Sequence, residues 1–102
     1  MNIERIDLKQ NAPTRMMGMR QSALPLRERM ESALAEGGRV DLDFTDVEAT
    51  HSFIDELIGV IVGKQGPTVL SQISFKGCSA TVKGILQFVA ADRAKDFLRS
   101  AH

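Results

Sequence analysis

A single cysteine, Cys78, stands in the 102 residues, so no disulfide can form within the chain, and a reducing cytoplasm is the expected compartment. Histidine is nearly as scarce: His51 and the terminal His102 are the only two. A structural zinc site takes four ligands and a catalytic one three, so no zinc site and no other metal centre is expected. Charge of one sign is missing as well. Thirteen Lys and Arg balance thirteen Asp and Glu, which removes the electrostatic reason to expect nucleic acid or an anionic membrane surface as partner. The longest apolar run, Leu57 to Val62, is broken by Gly59 and falls far short of the roughly 20 residues of a membrane span. The opening residues Asn2-Ile-Glu-Arg5 carry no apolar signal core. No glycine-rich nucleotide fingerprint is present, and no cofactor is expected.

What remains is an ordinary globular composition, 43% hydrophobic and 25% charged, in a length suited to one domain of about 100–200 residues. A domain of this size leaves a large fraction of its surface exposed and suits a binding or regulatory module better than a deep catalytic pocket. Residues 1–102 are read as one domain, with an edge strand and irregular lead-in over 1–20 and a core over 21–100.

Ile3 to Leu8 is expected as a short edge strand, followed by a loop with Pro13 and Gly18. Ser22 is placed as the cap of a helix with Pro25 in its early turn and Leu26, Met30, Ala33 and Leu34 on its buried face, ended by Gly37-Gly38. Arg39 to Thr45 alternates with period two, setting Val40, Leu42 and Phe44 against Asp41, Asp43 and Thr45; it is the clearest strand. A turn over Asp46 to His51 leads to Ser52 as N-cap of a second helix carrying Phe53, Ile54, Leu57, Ile58, Ile61 and Val62. A strand over Gln72 to Lys76 and a last helix from about Ser79 complete the order strand, helix, strand, helix, strand, helix. That alternation calls for crossovers between parallel strands: an α/β fold, layered, with a mostly parallel or mixed sheet.

Asp41-Leu-Asp43-Phe-Thr45 is similar to the Asp-x-Asp-x-Thr strand end of haloacid-dehalogenase-type phosphotransferases, which implies a magnesium-dependent enzyme with Asp41 as nucleophile and Asp43 as general acid. That motif follows an apolar strand, whereas here only Val40 separates Asp41 from Gly37-Gly38-Arg39. The plain alternative makes Asp43 an acceptor of backbone or hydroxyl hydrogen bonds. His51 and Asp55, four residues apart, can share a helix face, but two ligands do not make a metal site. His51 beside Ser52 is a poor nucleophilic pair, since adjacent residues at a helix start point apart and no third group orients them. Met16, Met17 and Met19 form a cluster that suits an adaptable surface, and hence packing on a second copy, as well as a core.

The most informative stretch runs from Val40 to Gly59, Val-Asp-Leu-Asp-Phe-Thr-Asp-Val-Glu-Ala-Thr-His-Ser-Phe-Ile-Asp-Glu-Leu-Ile-Gly. It resembles the central strand, loop and helix of STAS domains, the fold of bacterial anti-sigma factor antagonists, and more closely the bacterial STAS-like domains of unknown function. Leu42-Asp43-Phe44-Thr45 matches the strand end, Val47 the turn, and His51-Ser52 the Asp-Ser pair of that pattern. The resemblance implies a non-enzymatic, cytoplasmic signalling domain whose Ser52 is the position a partner kinase phosphorylates. It also implies docking through Thr50, His51, Ser52, Phe53, Asp55 and Glu56, with Asp43 and Thr45 supporting the site and a histidine-kinase-like ATPase as the protein partner. Three departures stand out: His51 replaces the family's aspartate, Phe53-Ile54 replaces its Ser-Gly, and no closing strand follows the last helix.

Overall fold

The computed structural model describes residues 2–10 and 16–100, without the side chains of Met16 and Met17. Strand β1 (Ile3–Asp7) is followed by β2 (Met16–Met17), helix α1 (Arg20–Ala35), β3 (Arg39–Asp43) and β4 (Glu48–Ala49). Helix α2, residues 51–65, is built from three consecutive stretches: His51–Ile54, a π-helical Asp55–Gly59, and Val60–Gln65. A 3₁₀ stretch over Pro67–Gln72, strand β5 (Ile73–Lys76) and helix α3 (Ala80–Ser100) complete the fold.

The main sheet is parallel throughout, in the order β1-β3-β5, so β3 is central and the expected α/β class holds. Register explains the packing. Glu4, Ile6, Val40, Leu42, Ile73 and Phe75 fall on one face; Arg5, Asp7, Asp41, Asp43, Ser74 and Lys76 fall on the other. The first face meets the helices: Ile6, Val40, Leu42 and Ile73 join Met30, Leu57, Ile61 and Val89 in one buried cluster. Parallel sheets usually carry helices on both faces. Among the described residues the helical packing lies on one, which is why β3 shows clean alternation instead of the unbroken apolar run of a sheet buried twice.

Local chemistry moves several expected boundaries. Helix α1 starts two residues before Ser22, with Met19 as its cap residue and no side-chain cap bond. Pro25 therefore sits at the sixth helical position and not in the first turn, so the carbonyl four residues back, on Gln21, loses its usual donor. Strand β4 forms where only a turn was expected: Glu48 and Ala49 pair in parallel with Met16 and Met17, tying the lead-in loop to the entrance of α2. At the other end of β3, Phe44 N–H donates to the Lys76 carbonyl at 2.7 Å, while Asp43 Oδ1 accepts from Thr45 N–H at 2.9 Å and closes a turn.

Gly77 ends β5 with φ +70°, and a Cβ there would run into Thr45 Oγ1 and come within 2.9 Å of Thr45 N. The left-handed backbone alone costs a non-glycine residue about 1–2 kcal/mol, and overpacking adds about 1 kcal/mol or more. Gly77→Ala is therefore expected to lose about 2 kcal/mol or more, read as a lower denaturation midpoint at an unchanged m-value.

Candidate functional site

The residues singled out in the sequence gather at the entrance of α2, but they divide between surface and interior. Thr50, not Ser52, is the N-cap. Its φ of −82° and ψ of 164° are extended, its Oγ1 accepts from Phe53 N–H at 3.2 Å, and the same hydroxyl donates to the Gly18 carbonyl at 3.0 Å. One threonine thus closes the helix end and anchors the lead-in to α1. The correction has a simple cause: His51 already has helical geometry, and the cap is the last non-helical residue before it. Thr50→Ala should destabilise by about 1 kcal/mol and Ser52→Ala by much less, a contrast that a pair of urea denaturation curves resolves.

Freed of capping, Ser52 lies in the first helical turn and is exposed, as is His51. The His51 ring meets Phe88 of α3 edge to face, centroids 5.5 Å apart and planes at 88°. Phe88 is itself 59% exposed. An imidazole, a hydroxyl and an aromatic ring thus share one open surface where α2 begins beside α3.

Phe53 and Asp55 turn the other way. Phe53 is fully buried in the core cluster, so it supports the helix end from beneath. Asp55, 7% exposed, is the buried charged residue among those described. Arg93 of α3 grips it with two bonds, Nε to Oδ1 at 2.8 Å and Nη2 to Oδ2 at 2.6 Å, and Arg20 of α1 adds Nη1 to Oδ2 at 3.0 Å. The Arg93 hydrogen bonds, with Arg20 behind them, hold the carboxyl below the usual carboxylate range against the opposing effect of burial. Glu56, partly exposed, extends the network through Arg27, whose Nη2 lies 3.0 Å from Oε2, and Arg27 in turn reaches Glu31. Three helices are thereby cross-linked by alternating charges. His51 and Asp55 are not brought together: one faces Phe88, the other Arg93.

The helix geometry makes room for this clamp. Val60 N–H donates to the Asp55 carbonyl five residues back, the mark of a π turn. Gly59 completes the slot, because a Cβ there would strike Asp55 Oδ1 and approach Val89 Cγ1 to 2.9 Å. Sequence reasoning missed Arg93, Arg20 and Gly59. A glycine four residues after an acid on an apolar helix was the available signal.

The aspartates of β3 lie elsewhere, on the face of the sheet turned away from the helices. Asp41 pairs with Arg5 at 3.7 Å, both well exposed. Asp43 is held below its ordinary range by its hydrogen bonds from the Thr45 side chain and backbone, with nearby Lys76 adding to the effect. Among the described residues, no group of three or more His, Cys, Asp or Glu side chains is placed to hold a metal ion. Cys78 is half-buried against the core, and burial pushes its thiol up, away from the reactive thiolate. Of the methionine cluster, Met19 is 61% exposed; the Met16 and Met17 side chains lie outside the described residues. No helix among the described residues is long and apolar enough to cross a membrane.

Comparison with known proteins places a family model, described as a STAS-like domain of unknown function, on residues 22–83, more than half of the chain. Neither a curated protein nor a solved structure matches.

Proposed function

Because the chain belongs to the family of STAS-like domains of unknown function, we propose that it is a non-enzymatic regulatory domain of the bacterial cytoplasm, related in role to anti-sigma factor antagonists. It docks a protein partner on the surface where α2 begins. Thr50, His51, Ser52 and Glu56 supply the polar part of that surface and the exposed ring of Phe88 the apolar part, while Phe53 and Asp55 hold it in shape. The partner is a histidine-kinase-like ATPase, and phosphorylation of Ser52 is the switch.

The supporting observation is the position of Ser52: exposed, in the first turn of α2, and not engaged as the cap, so its hydroxyl can be modified without dismantling the helix end. The positive end of the helix dipole favours a phosphate at that turn. Toward the partner the effect reverses, since a dianion in the contact adds repulsion and desolvation. A coupling of about 1–3 kcal/mol changes affinity roughly five- to 150-fold.

Ser52→Asp is expected to weaken capture of the partner ATPase relative to Ser52→Ala, both proteins remaining folded, and phosphopeptide mapping should place phosphate on Ser52 after incubation with that ATPase and ATP. Equal affinities for the two variants would remove the switch. Failure of the ATPase to bind either variant or the native chain would remove the partner.

A further inference from the structure

A second receptive place lies at the outer edge of the sheet. β5 pairs with β3 on one side, and among the described residues no strand pairs with its other side. In a parallel ladder alternate residues turn both backbone groups toward the same neighbour. Phe44 N–H bonds the Lys76 carbonyl, so Ser74 and Lys76 face β3, while Ile73, Phe75 and Gly77 face outward. The Ile73 N–H is satisfied by the Leu70 carbonyl. That leaves the Phe75 N–H and carbonyl, the Ile73 carbonyl and the Gly77 N–H directed at the open side, the set an additional strand uses.

Beside this edge runs a groove of about 730 Å³ between β5 and α3, with Ile58, Leu70, Phe75 and Leu86 along it and Lys83 and Gln87 on its α3 side. Phe75 is 36% exposed there. The Lys83 ammonium takes part in no ion pair among the described residues, and it stands near the start of α3, whose dipole adds positive potential. Natural sheets often cover such edges with a helix or loop; among the described residues this one is left open, with backbone groups, an apolar trough and a cation side by side.

We propose that the β5 edge and its groove bind an extended peptide segment of another protein by strand addition. Alternate apolar side chains of the segment enter the groove, and an acidic residue at one end meets Lys83. A helix or a lipid chain laid in the groove would cover the Phe75 N–H and carbonyl without bonding them, an unfavourable exchange for buried backbone groups. A second copy pairing edge to edge would have to offer Lys83 an acid from its own β5 or the residues flanking it, and residues 66–79 hold none. An acidic, alternating peptide satisfies both requirements. The groove residues include none of the Ser52 surface, so this interaction is separate from the one proposed above.

The probe is a displayed library of short random peptides panned against the whole chain, followed by titration of the best synthetic peptide. The enriched sequences are expected to alternate apolar and polar residues with Asp or Glu at one end. Bound peptide should slow hydrogen exchange at the Phe75 and Gly77 amides. N-methylating the peptide backbone on its paired side should abolish binding, and Lys83→Glu should weaken it by about tenfold, with recovery when the peptide's acid is exchanged for lysine. Ser52→Asp should leave it unchanged. No enrichment, helical spacing in the enriched set, indifference to N-methylation, loss of binding in Ser52→Asp, or protection of the same amides by self-association would each overturn the proposal.

Discussion

Phe53→Ala is expected to cost about 3–5 kcal/mol, the range for deleting a fully buried phenylalanine, and so a large part of the stability of a domain this size. The ring is wholly enclosed by the core cluster although it follows Ser52 directly in the chain. Truncation leaves a cavity beneath the first turn of α2, where surrounding atoms can relax only in part. Phe53→Leu, which retains most of the volume, should lose far less. Denaturant midpoints measure both. The pair also separates two causes of failed partner capture: with Phe53→Ala, capture should fall in proportion to the unfolded fraction seen by circular dichroism, whereas with Ser52→Asp it should fall while the domain stays folded.

The second large effect is expected at Asp55. Removing one member of a buried ion pair costs about 3–5 kcal/mol because the partner's charge is left uncompensated. The Arg93 side chain is 30% exposed and recovers some hydration, which puts Asp55→Ala near the lower end, about 3 kcal/mol. Asp55→Asn keeps the shape and part of the bonding and should lose less. Acidity provides an independent test. With its folded pKa depressed by Arg93 and Arg20, Asp55 contributes stability that is present above the unfolded value of about 3.9 and is lost as pH falls through the folded value. The slope of stability against pH below about 4 should therefore be shallower in Asp55→Asn than in the native chain. Gly59→Ala gives a matching sign reversal. On an unencumbered helix that change stabilises by about 1 kcal/mol; here the new methyl collides with the clamped carboxylate, and the expected result is a loss.

Most of the scaffold was legible because period-two and period-3.6 patterns survive in a sheet covered on one side and in helices with one buried stripe. Val40, Leu42 and Phe44 against Asp41 and Asp43 gave β3 its place, and Leu57, Ile58, Ile61 and Val62 gave α2 its inner face. The misplacements share one origin: contacts that span long sequence separations leave little local trace. β4 forms because Met16 and Met17 lie alongside it. Thr50 supplants Ser52 as cap because β4 brings the chain into α2 two residues earlier, with Gly18 waiting as second partner. Asp55, four residues after His51, was a reasonable candidate for a surface role; Arg93, 38 positions away, draws it inward. Ser52 kept its exposure because no distant residue claims it.

The bare side of the sheet has a consequence for how this chain can change. Along β3, Asp41 and Asp43 project toward water while Val40 and Leu42, their immediate neighbours, are sealed beneath the helices. Tolerance to substitution should therefore alternate residue by residue, like a comb in which every other tooth can be replaced. Dyes, affinity handles or new charges fit best at Asp41, which among the described residues is tied only to the exposed Arg5, whereas Asp43 has to stay to hold the turn at Thr45.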